Sequence, residues 1–189
     1  MRRGRRSGSV ALGTAALASV LAAAALPALV AQPAWVVAAG IALSGLAAAI
    51  AVEDLLTMLI PDALVAALAL VSAGLLVTTA PDWPAVLDAV LAALAVALGL
   101  FLFSAVYSRL RGMAVLGFGD VKLIGASALL VGPSGVGLQI LLASTAALIF
   151  AVLRAVRRGR RLRATMRLPF ATFLAPALVV VWAWLLPPA

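Results

Sequence analysis

The chain contains no cysteine and no histidine. The first absence excludes disulfides and thiolate chemistry, and the two together exclude the usual zinc sites and every Cys–His or Ser–His–Asp nucleophile system. No metal and no cofactor is expected. Any catalysis must come from carboxylates, Lys, Arg, Tyr, Ser or Thr. Acidic residues are also scarce: there are six in 189 residues, against fourteen Lys and Arg.

What fills the chain is hydrophobic residues, at 66% of the total, with a mean hydropathy of +1.24. This is the composition of a polytopic membrane protein, because a soluble domain needs more polar surface than these residues supply. The apolar residues run continuously and do not alternate, which argues against a transmembrane β-barrel. The expected fold is an all-α membrane helical bundle. At about 20 residues per span, the length allows six to seven helices. A basic segment, 1–9, would precede a single transmembrane domain, 10–189.

Breaks in the apolar runs divide the chain. Spans are predicted at 10–31, 36–52, 63–80, 85–107, 121–131, 136–153 and 168–186. The first also has the form of a signal sequence: a basic start, an apolar stretch and small residues near Ala31. In the second, Gly40, Ser44 and Ala48 recur every fourth residue, the small-xxx-small pattern of closely packed membrane helices. Turns with interfacial Trp stand at Gln32–Trp35 and Pro81–Pro84, and "GPSG" (132–135) ends the short fifth span.

The net charge of +8 does not call for nucleic acid here. In a membrane chain it marks cytoplasmic loops and contact with anionic lipid headgroups. With the N-terminus inside, the inside segments are 1–9, 53–62, 108–120 and 154–167. All fourteen Lys and Arg fall on these segments or, for Lys122, just beyond one. None falls in the outside turns. The Arg154–Arg167 cluster reads as topological and lipid-facing, and Lys122 as snorkelling to the inner headgroups. The alternative for Lys122 is that an irregular backbone at Gly119 turns it towards a site.

Two spans lie between Asp54 and Asp120, so both return to the same face of the membrane. Asp82, Asp88 and Asp62 read as helix caps or helix-dipole partners, and Glu53 as solvated. An ionisable group near membrane depth is costly, so a same-face pair is a functional candidate. Two carboxylates held close share a proton. One can then act as general base on water while the other polarises a scissile carbonyl, which is aspartic-protease chemistry and needs no His, Cys or metal. The alternative has Asp120 capping the fifth span and Asp54 anchoring at the interface. Gly117 and Gly119, on either side of Phe118, permit unusual backbone or close approach by another segment.

"GFGDVKL" (117–123) resembles the GxGD motif of membrane aspartyl proteases, and its Val121, Lys122 and Leu123 resemble the type IV prepilin peptidases in particular. In that family the first catalytic Asp precedes an IPN string. Here "DLLTMLIPD" supplies Asp54, Ile60 and Pro61, with Asp62 in place of Asn. "LPFATFLAP" resembles the family's "PFGPFLA" stretch at Pro169, Phe170, Phe173, Leu174 and Ala175, and departs from it at Ala171 and Thr172.

The resemblance implies a membrane aspartic endopeptidase with Asp54 and Asp120 as its catalytic pair. Its partner would be a prepilin or pseudopilin precursor, of Tad or Flp type, cut at the cytoplasmic face of a bacterial inner membrane. With no cysteine and little room beyond its spans, the chain looks like the compact form, without the cysteine-bearing domain and N-methylation of larger members. The competing readings are a non-enzymatic membrane subunit, a small transporter, and a presenilin-like protease with other substrates.

Overall fold

The computed structural model describes residues 17, 19–21, 23, 25, 32–111, 116–157 and 168–186. The expected basic segment 1–9, most of the first expected span and positions 158–167 of the basic cluster lie outside the described residues. Every regular element among the described residues is helical. We label them α1 (Ala34–Thr57), α2 (Asp62–Thr79), α3 (Trp83–Arg111), α4 (Phe118–Arg157) and α5 (Ala171–Leu185). Residues 17, 19–21, 23 and 25 are also helical, and Leu21 and Ala25 are buried in the core.

α1 to α4 are each long and apolar enough to cross a membrane, and α5 is a shorter apolar helix. The chain is a multi-pass membrane protein. Large apolar side chains lie exposed on its outer surface, including Leu70, Leu91, Leu98, Leu141 and Trp184. A hydrocarbon surround is the solvent that makes such a surface stable.

α4 is two passes in one element. Gly132 takes φ 66° and ψ 176° inside it, directly before Pro133. Proline disfavours helical backbone in the residue before it, and only glycine enters the positive-φ region at little cost. In a straight helix, Ser127 and Gln139 would lie about 18 Å apart along the axis. Here Gln139 Nε2 donates to Ser127 Oγ at 3.2 Å. The element therefore folds back on itself at the expected "GPSG" turn. With this hairpin the elements α1 to α5 supply six apolar helical segments among the described residues.

The core is built from small residues and a few large ones. α1 buries Gly40, Leu43, Ser44, Ala47, Ala48, Ala51 and Asp54 along one stripe, which includes all three members of the small-residue pattern. α5 packs against α1 and α4, and α4 also packs against α2 and α3.

Two expected boundaries beside the aspartates move. α1 continues through Glu53 and Asp54 to Thr57, where the sequence predicted an interruption from Glu53. The stop is set by Pro61, which excludes Ile60 from helical backbone. Likewise α4 begins at Phe118, so Asp120 stands in its first turn and not in a preceding loop.

Candidate active site

One end of the bundle collects the end of α1 and the starts of α2, α4 and α5. α1 closes with Met58 in the left-handed region, φ 54°, and the Met58 N–H donates to the Asp54 carbonyl at 2.8 Å. Thr57 Oγ1 donates to the Glu53 carbonyl and accepts the Leu59 N–H. This tight exit delivers Ile60 to α4. A Cβ placed on Gly119 would stand 3.1 Å from Ile60 Cδ1 and 3.3 Å from Ile60 Cβ. The glycine thus lets the Ile60–Pro61 corner sit directly on the start of α4. Pro61 then opens α2, its carbonyl accepting the Leu64 and Val65 N–H groups.

Asp54 is buried, with 5% of its surface exposed. It lies on the inward stripe of α1 and faces the first turn of α5. The Thr172 N–H donates to Asp54 Oδ2 at 2.9 Å, and Thr172 Oγ1 donates to the same oxygen at 3.2 Å. Thr172 Oγ1 is also 3.0 Å from the Ala51 carbonyl. Pro169 is buried behind this turn. Phe170 caps α5, its carbonyl accepting the Phe173 and Leu174 N–H groups. These two residues set where the helix begins, and so where the Thr172 N–H points.

Asp120 is half-buried in the first turn of α4. Its carboxylate folds back over Gly117, where an added Cβ would lie 3.1 Å from Oδ2. Asp54 and Asp120 are close enough for their charges to interact. Neither Gly117 nor Gly119 has positive φ; Gly132 is the one described glycine that does. The glycines of the motif serve close approach, not unusual backbone.

Lys122 neither snorkels alone nor turns to the two aspartates. Its Nζ pairs with Asp62 Oδ1 at 2.8 Å and sits 4.5 Å from the centre of the Phe118 ring. Asp62 is the residue that replaces the motif Asn, and this pairing draws it towards the cation on α4. The side chains are 35% and 78% exposed, so the pair fixes orientation more than it stabilises, at about 0–1 kcal/mol. Elsewhere, Asp82 caps α3 as expected, its Oδ1 accepting the Ala85 N–H at 2.8 Å.

All nine residues singled out from the sequence therefore gather at one end: Asp54, Ile60, Pro61, Gly117, Gly119, Asp120, Lys122, Pro169 and Phe170. The residue that sequence reasoning undervalued is Thr172, which stood out as a departure from a motif.

The family model for the type IV leader peptidase family matches residues 41–152. That region holds Asp54, Asp120 and their flanking motifs, and stops short of α5. Comparison with curated proteins and with solved structures returns no match.

Proposed function

From the premise that this chain belongs to the type IV leader peptidase family, and is therefore a peptidase of that type, we propose that it works as an aspartic endopeptidase with Asp54 and Asp120 as its pair. The observation that carries this reading is the presence at one end of an apolar bundle of two carboxylates from different helices, one of them buried, near enough for their charges to interact. Burial of a carboxylate without a cation is costly, and the described partners of Asp54 are hydrogen-bond donors.

One carboxylate takes a proton from water as the water oxygen attacks the scissile carbonyl carbon. The other gives its proton to the carbonyl oxygen, leaving a neutral gem-diol. On collapse the C–N bond breaks. The first residue returns its proton to the leaving nitrogen, and the second recovers one from the diol. The pair ends as it began, and water has been added across the bond.

The substrate we propose is a prepilin or pseudopilin precursor of Tad or Flp type, met in a bacterial inner membrane. The described basic residues, Arg109, Arg111, Lys122, Arg154 and Arg157, lie in the parts of α3 and α4 at the end that holds the aspartates. By the bias of Lys and Arg towards the cytoplasm, cleavage then occurs at the cytoplasmic face, beside anionic lipids.

The test is co-expression with a pilin precursor from the same genome, read as a gel shift. Asp54→Asn and Asp120→Asn should each lower cleavage by about 10²–10⁴-fold while the protein still inserts. Shortening of the precursor by either variant at the wild-type rate would end the paired-aspartate reading.

A further inference from the structure

The two aspartates are not held alike. Asp54 faces the Thr172 N–H, the Thr172 hydroxyl and the backbone of Ala171, whereas Asp120 faces the backbone of Gly117. The Thr172 N–H belongs to the first turn of α5, where backbone donors have no partner inside the helix. It is free to serve the carboxylate, and an N–H can only donate. Asp54 Oδ2 is thereby held as an acceptor, and hydrogen bonds to the charged form of a carboxyl favour that form.

The hydroxyl adds a second property. It carries one proton and has two acceptors within reach, Asp54 Oδ2 at 3.2 Å and the Ala51 carbonyl at 3.0 Å. While Asp54 is ionised, the hydroxyl donates to Oδ2. Both donors of Thr172 therefore act on the same oxygen of Asp54, and both favour its ionised form.

Resting on the paired-aspartate reading above, we infer that Thr172 is a positioning residue that holds Asp54 as the ionised member of the pair, making Asp54 the general base and leaving the shared proton on Asp120. In the reaction Asp54 takes the water proton and Asp120 protonates the carbonyl oxygen. On collapse Asp54 protonates the leaving nitrogen, and Asp120 is reprotonated by the diol.

The titratable surroundings of Asp54 are few. α5 has no titratable side chain, α2 has Asp62, which is engaged with Lys122, and α1 itself has Glu53. From α4 the facing group is Asp120, with Arg154 and Arg157 in its last turn.

The test is the pH dependence of kcat/KM for the full chain in detergent, acting on a Flp-type pilin precursor. The acidic limb reports protonation of the base. Removing donors from Asp54 favours its protonated form, so this limb should move to higher pH. Thr172→Pro deletes both donors in the first turn of α5, at the cost of disfavouring helical backbone at Ala171, and should move the limb by about one unit. Thr172→Val keeps the N–H and should move it less. Thr172→Ser, with both donors present, should restore the wild-type limb. Should Thr172→Pro prove inactive, the Thr172→Val and Thr172→Ser profiles decide. An acidic limb that stays fixed in Thr172→Val and Thr172→Pro overturns the inference, and movement of the basic limb in its place assigns the base to Asp120. Cleavage by Asp54→Asn or Asp120→Asn would instead overturn the paired-aspartate reading itself.

Discussion

A methyl group added at residue 119 would meet Ile60 at two depths, 3.1 Å from Cδ1 and 3.3 Å from Cβ. The first atom is the end of a flexible side chain and can swing away. The second is fixed to the backbone and cannot. Gly119→Ala should therefore push the Ile60–Pro61 corner off α4, at an overpacking cost of about 1–3 kcal/mol. If that cost falls on the assembly of the site, cleavage drops about tenfold, since ~1.4 kcal/mol is a factor of ten. Ile60→Ala removes Cγ1 and Cδ1 and should restore part of the loss. The check is a double-mutant cycle in the precursor-cleavage assay; strictly additive effects would show that the contact has no part in activity. Both residues were legible in the sequence as motif letters, but their contact was not, because 59 positions of chain separate them. Thr172 was harder still. A first-turn threonine is ordinary in sequence, and its value comes from what α1 places opposite its N–H.

Among the elements, α1 shows most clearly which signals decide a boundary. The acidic and polar letters of "EDLLT" suggested an interruption, yet the helix runs on to Thr57. Proline geometry at Ile60–Pro61 decides the end, and polarity does not. Asp54 continues the buried stripe of Gly40, Ser44, Ala47 and Ala51 at spacings of four and three. Read as a helix position, it was legible as inward-facing. The exit is strained: Met58 holds φ 54°, a conformation that costs a side-chain-bearing residue about 1–2 kcal/mol. Met58→Gly removes that cost and adds about 0.5–1 kcal/mol of unfolded-state entropy. The expected net is a gain of about 0.5–1 kcal/mol, seen as a Tm rise of ~1–4 °C in detergent. A fall in Tm would mean that the Met58 side chain contributes packing greater than its strain. The α4 hairpin was legible from Gly132–Pro133. Its clamp was not: Gln139, fully buried, donates to Ser127 Oγ and to the Leu174 carbonyl at 3.0 Å. That contact ties both arms of the hairpin to α5, and no period in the sequence announces it.

Across the whole molecule, the parity of spans was the strongest sequence argument. An even number of passes between Asp54 and Asp120 returns them to one face, and the structure does bring their helix ends together. Lateral order was not available from parity, so the closure of the site by α5 was invisible. The same parity places the α2–α3 turn and the α4 bend at the far end from the aspartates. This arrangement makes a topological prediction that the absence of native cysteine renders clean, because one introduced thiol is the only thiol in the chain. Trp83→Cys and Ser134→Cys stand at exposed positions of the far end, and Leu59→Cys and Arg157→Cys at exposed positions of the aspartate end. If the basic end faces the cytoplasm, a membrane-impermeant maleimide added to spheroplasts should label the first two. The second two should react only after the membrane is permeabilised. Exchange of the two patterns would put Asp54 and Asp120 outside the cell membrane and rule out cytoplasmic cleavage, while leaving the helix packing and the Thr172–Asp54 contact as they are. Orientation rests on the distribution of Lys and Arg, and the site rests on contacts within the bundle, so the labelling experiment tests the first without touching the second.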